Sequence, residues 1–74
     1  MSVEYIVKIQ TDITGLGILI YDENRDFTYE DHGSEAKRIR DSYDMEPLSK
    51  VYARAEIDDN GLLHLGAEVE EQGW

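Results

Sequence analysis

Ionisable and nucleophilic side chains are plentiful in this 74-residue chain, and the first question is whether any sit at spacings that do chemistry. Seventeen Asp and Glu stand against seven Lys and Arg, with two His, no Cys and a formal net charge of -10. A Ser-His-Asp hydrolase would draw Ser2, Ser34, Ser42 or Ser49 to His32 or His64, but none of these serines lies in a nucleophile-elbow pattern. Acid and base pairs of the glycosidase kind are defined by separation across a cleft, so neighbours such as Asp58-Asp59 or Glu70-Glu71 carry no such signal. His64 and Glu68 share the parity of one strand but lie about 13 Å apart, too far to chelate one ion. Asp58-Asp59-Asn60-Gly61 has calcium-ligand residue types without the loop spacing or closing Glu of an EF-hand, and its Asn-Gly predicts a type I′ hairpin instead. Gly15 and Gly17 stand between a turn and a strand, which is not the setting of a phosphate-cradling loop. Without thiols there is no thiol catalysis and no thiolate zinc site. The expectation is a protein with no catalytic residue, no metal site and no cofactor.

The patterned feature is charge. Met1 to Asp31 carries seven acids and two bases, His32 to Arg54 four acids and five bases, and Ala55 to Trp74 six acids and no base. Nucleic acid or an anionic membrane would be repelled by most of this surface, whereas a basic protein groove would be attracted to it. The acids gather at Asp22, Glu23 and Asp26, at Asp58 and Asp59, and at Glu68, Glu70 and Glu71. Carboxylates held on a rigid sheet can imitate the phosphates of a strand and make charge-assisted hydrogen bonds to Arg and Lys. Tyr52, expected to face outward between Lys50 and Arg54, is a candidate anchor beside them. The one basic cluster, Lys37-Arg38-Ile39-Arg40, reads chiefly as a solvated helix face paired with Glu35, Asp41 and Asp44.

These residues need elements to hold them. Val3 to Gln10 alternates with Val3, Tyr5, Val7 and Ile9 on one face, and Leu16 to Tyr21 is a short apolar run, so two strands should pair antiparallel. A polar turn at Asp22 to Asp26 leads to Phe27-Thr28-Tyr29-Glu30, either a third strand or the start of the helix. Ser34 is the expected N-cap of a helix whose stripe is Ala36, Ile39 and Tyr43, and Pro47 keeps that helix from running through the connector behind it. Lys50 to Ile57 and Leu62 to Val69 form the final hairpin, with Val51, Ala53, Ala55 and Ile57 facing Leu63, Leu65, Ala67 and Val69 on the inner side. Glu70 to Trp74 reads as a tail whose acids are solvated unless Trp74 folds back. The chain is therefore expected to be a single α+β domain over residues 1–74. Its antiparallel sheet of four to five strands carries one short helix on one face, in the order β-β-(β)-α-β-β. A domain this small buries only about 60% of the surface its open chain exposes, which leaves no room for a deep substrate cleft. The longest apolar run is far short of a membrane helix, and the first residues lack the basic and apolar regions of a signal peptide, so a cytoplasmic location is expected.

By size, acidity, absence of Cys and a compact sheet with one helix, the whole chain resembles the small acidic inhibitors that phages and mobile elements encode, in particular anti-CRISPR proteins. The resemblance implies a stoichiometric, non-catalytic inhibitor in the host cytoplasm. Its partner would be a CRISPR effector or another nucleic-acid-binding complex with a basic groove, without direct nucleic-acid or membrane binding. The basic helix segment departs from a purely acidic mimic. The other reading is a small accessory subunit, antitoxin-like or immunity-like, that pairs through a sheet edge or the Tyr52 face.

Overall fold

The computed structural model describes residues 3–74, with nothing to be said of the Val3 side chain. Val3, expected on the inner face, pairs with Ile57 through its backbone; its side chain, like Ser2, lies outside the described residues. Five strands and one helix run in the order β1 (Val3–Thr11), β2 (Ile18–Tyr21), β3 (Phe27–Asp31), α1 (Ser34–Ser42), β4 (Lys50–Ile57) and β5 (Leu63–Val69). The strands make one sheet in the spatial order β3-β2-β1-β4-β5, with every neighbouring pair antiparallel. The chain is thus α+β, and residues 27–31 are a strand rather than a helix start.

Period-two alternation on β1 and β4 and the apolar run of β2 build one buried layer. Val7, Ile9, Ile18, Ile20, Ala53 and Ala55 pack with Ala36 and Ile39 of α1, and Tyr5, Tyr29, Tyr43, Met45, Leu63 and Leu65 pack around them half-buried. A nine-residue helix is marginal alone, so this contact is what keeps α1 folded. Gly33 takes the cap position and Ser34 is the first helical residue, which corrects the expected N-cap. The capping hydrogen bonds come from Asp31 at the end of β3, whose Oδ2 accepts from the N–H of Gly33 at 3.0 Å and of Ala36 at 2.8 Å. That use holds its carboxyl below the ordinary range, through the Ala36 bond first and the Gly33 bond next.

β2 begins two residues later than expected, because Asp12 to Gly17 forms a loop tied by its own acid. Asp12 Oδ1 accepts from the N–H of Thr14 and Gly15 at 3.0 Å each and from the Thr14 hydroxyl at 2.6 Å. The loop is stitched to the segment after α1 through Thr11, a buried polar residue whose hydroxyl donates to the Glu46 carbonyl and accepts from the Ser49 N–H at 2.9 Å.

The register of β5 departs from the expected pattern. Ala55 pairs with Leu65 and Ala53 with Glu68, so β5 spends one residue more than β4 over that interval. The extra residue flips the parity beyond it: Leu63 and Leu65 face the helix side as expected, but Glu68 joins them there while Val69 falls opposite Tyr52 on the other face. Ala67 is exposed. The Tyr43 hydroxyl, at the end of α1, donates to the Gly66 carbonyl inside the bulge at 2.5 Å.

Candidate functional site: the acidic end of the sheet

The two acidic turns are the same structure built twice. Asp22-Glu23-Asn24-Arg25-Asp26 joins β2 to β3, and Asp58-Asp59-Asn60-Gly61-Leu62 joins β4 to β5. In each, Oδ1 of the leading Asp accepts from the backbone N–H two and four residues on, at 2.9 Å from Asn24 and Asp26 and at 2.9 and 3.0 Å from Asn60 and Leu62. The N–H of Arg25 reaches the Asp22 carbonyl at 2.9 Å, and that of Gly61 reaches the Asp58 carbonyl at 3.0 Å. Arg25 and Gly61 then take left-handed backbone angles, with φ of 68° and 80°. Asn60 has no positive φ, so the final hairpin is a type I turn followed by a left-handed residue and not the expected type I′ turn.

Arg25 therefore sits where glycine costs least. A side chain in the left-handed region is disfavoured by about 1 kcal/mol or more, part of which glycine returns through the entropy of the unfolded chain. Arg25→Gly is expected to stabilise the fold by about 0.5 kcal/mol, read as a higher urea midpoint at unchanged slope; a lower midpoint would show that the Arg25 side chain contributes more than its backbone costs.

The turn geometry sorts the acids. Asp22 and Asp58 are half-buried and spend an oxygen on backbone amides, so they shape the turns. Asp58 also holds His64 Nε2 at 2.8 Å through Oδ2, and this bond first, with the Leu62 N–H next, keeps its carboxyl below the usual range. Glu23, Asp26 and Asp59 are the exposed members. Both turns point the same way along the sheet, because β2 and β4 both run antiparallel to β1. They are staggered, because β2 closes with Tyr21 against Lys8 while β4 closes with Ile57 against Val3, about 16 Å further along β1. Glu4 and Glu56 face each other at that end, and Arg54, beside Glu56, pairs with Glu4 at 2.8 Å.

The third acidic group is elsewhere. Glu68 pairs with Ala53 on the helix side near the opposite end, Glu70 comes directly after β5, and Glu71 reaches Lys50 at 3.5 Å. Tyr52 is a correction: it lies on the open face as its parity required, yet it is only 3% exposed. Trp74 folds back over it edge to face at 5.4 Å, its carbonyl accepts from the Tyr52 hydroxyl, and the Lys50 ammonium stands 5.9 Å from the ring. Parity reports the face but not what covers it. The basic segment of α1 is paired only in part: Lys37 meets Asp41 at 2.8 Å and Arg38 meets Glu35, whereas the expected partner Asp44 holds none of these cations through its side chain and Arg40 Nε is buried without a hydrogen-bond partner among the described residues.

A second charged cluster, which the spacing did not signal, joins the Asp12 loop to the end of β3. His32 Nε2 meets Glu30 Oε2 at 2.7 Å and its Nδ1 lies 3.6 Å from Asp12 Oδ2. The Glu30 hydrogen bond raises the imidazole above its ordinary range, with the charges of Glu30, Asp12 and Asp31 adding to it. A pKa raised by folding means stability present below the unfolded value, about 6.5, and lost as pH rises through the folded one. The urea midpoint is expected to fall as pH is raised from about 6 to 8, and His32→Gln is expected to flatten that part of the profile; an unchanged slope in the variant would assign it to other groups. The acids engage His32 through different ring nitrogens, and among the described residues no three metal-type side chains converge. No helix among them is long and apolar enough to cross a membrane.

The sequence matches no family model, and comparison with curated proteins and with solved structures finds no match.

Proposed function

We propose that this chain is a non-catalytic inhibitor that places the acidic end of its sheet in a basic, nucleic-acid-handling groove of a host protein complex, as anti-CRISPR proteins do, in the cytoplasm of the cell it acts in. The observation that supports this reading is the pair of identically built turns that point the same way along the sheet, each stiffened by its own leading carboxylate, with Glu23 and Asp26 exposed on one and Asp59 on the other. Preorganised acids lose little freedom on binding, and their field speeds encounter with a positive groove.

The test is capture of the partner from host extract on the immobilised chain, eluted in steps of rising salt, beside a Glu23→Lys, Asp26→Lys, Asp59→Lys variant. These positions leave the turn-forming Asp22 and Asp58 in place. A nucleic-acid-binding complex released at moderate salt and lost by at least about tenfold with the variant is the expected result. Retention by the variant would remove these turns from the interface. The alternative reading, an antitoxin-like or immunity-like accessory subunit, draws on the outer edge of β3, which has no strand beside it among the described residues and carries Phe27 at 55% exposure. A single partner surviving high salt would favour it.

A further inference from the structure

Helix α1 is too short to roof the sheet. Its nine residues reach about 14 Å, while the nine residues of β1 run about 30 Å. Beside it lies a groove of about 530 Å³, walled by Ile20, Ile39, Ile57, Leu63 and Leu65. That volume lies within the range of small-molecule sites, which are mostly apolar with a few polar groups for orientation. Thr28 also lines the groove and spends its hydroxyl on the Ile20 carbonyl at 2.9 Å, which leaves Tyr5 and Tyr29, whose hydroxyls have no hydrogen-bond partner among the described residues. Burial is the first cause holding both phenols above their ordinary range. The charged groups at the mouth are already matched: Arg38 Nε donates to Glu35 at 2.9 Å, and His64 meets Asp58 at 2.8 Å.

An ionic ligand would find each of those charges already balanced by its partner. An apolar body fills the walls without cost to them, and one hydrogen-bonding group satisfies a phenol. We infer that this groove binds an uncharged, largely apolar small molecule that hydrogen-bonds to the Tyr5 or Tyr29 hydroxyl. Gly61 and Leu62 of the second turn line one side of the groove, but the exposed acids Glu23, Asp26 and Asp59 do not, and the inference does not depend on their role.

The probe is N-phenyl-1-naphthylamine, neutral, with one N–H, and brighter in apolar surroundings; its anionic relative 1-anilinonaphthalene-8-sulfonate is the comparison. The neutral dye is expected to bind the intact chain saturably at one to one, with the anion at least about tenfold weaker because the mouth offers no unmatched cation. Leu65→Trp, which fills the groove, is expected to abolish binding. The Tyr5→Phe, Tyr29→Phe double variant keeps both rings and is expected to weaken it by about threefold to tenfold. Phe27→Ser, on the open face, is expected to change nothing. Absence of saturable binding, equal affinity for the anion, full affinity in the double Phe variant, or loss on Phe27→Ser would each overturn the inference. Should Leu65→Trp not fold by circular dichroism, the double Phe variant decides.

Discussion

Ile39→Ala is expected to lower the unfolding free energy by about 3 kcal/mol, the usual range for truncating a buried Ile being about 2–5 kcal/mol. Only two helix residues are buried, Ala36 and Ile39, and Ile39 is the sole large one at 3% exposure. It also lines both the groove beside the helix and the smaller cavity on the Tyr43 side, so its loss would join two openings rather than leave a closed void. A nine-residue helix has little stability of its own, so the effect should reach beyond the lost contact. Far-UV circular dichroism is expected to lose helical signal before the sheet unfolds, while Ile39→Val should cost only about 1 kcal/mol and keep a single transition. Coincident transitions with a small shift in the alanine variant would mean that the Tyr43 to Gly66 hydrogen bond and the Asp31 cap hold the helix without it. Because the acidic turns lie on hairpins, their presentation should survive this change as long as the sheet stays folded.

The sheet is legible in the sequence because alternation is a direct image of a half-buried strand, and β1 and β4 alternate over most of their length. The departures have local causes with little trace in hydropathy. The bulge in β5 sits in Gly66-Ala67-Glu68, where small and polar residues fit either parity, although a lone Gly in a strand is a usable signal. Residue type favours Ser34 for the capping role, yet Asp31 reaches the same amides from the end of a strand that the sequence alone leaves undecided. Parity puts Tyr52 on the correct face but implies exposure, since its cover comes from Trp74, far along the chain. The duplication of the turns is written as Asp-Glu-Asn and Asp-Asp-Asn, each followed by the left-handed residue; the Asn-Gly pair draws attention to one of them, while Arg25 in the glycine position conceals the other. The groove cannot be seen in the sequence at all, because it is the difference between two element lengths and belongs to no residue.

Gly15→Ala is expected to cost about 2–4 kcal/mol, and it tests how the end of the sheet opposite the acidic turns is held. Two independent penalties act at this position. The backbone is left-handed with φ of 75°, which a β-carbon disfavours by about 1–2 kcal/mol. That β-carbon would also stand 2.7 Å from Cγ of Pro47, a ring that cannot rotate away as a flexible side chain would. The loop cannot recoil easily either: the Asp12 carboxylate holds Thr14 and Gly15, the Leu48 N–H donates to the Asp12 carbonyl at 3.3 Å, and Thr11 anchors Glu46 and Ser49 from below. A double-mutant cycle with Pro47→Ala separates the two penalties, because trimming the ring relieves the contact and leaves the backbone angle unchanged. The pair is expected to recover about 1–2 kcal/mol of coupling energy, with the remainder of the Gly15→Ala cost persisting as the left-handed share. Full additivity would show that the 44–49 segment yields to the new methyl. In that case the two loops would be joined by the Thr11 and Asp12 hydrogen bonds alone, and the packing of Pro47 on Gly15 would add nothing to stability.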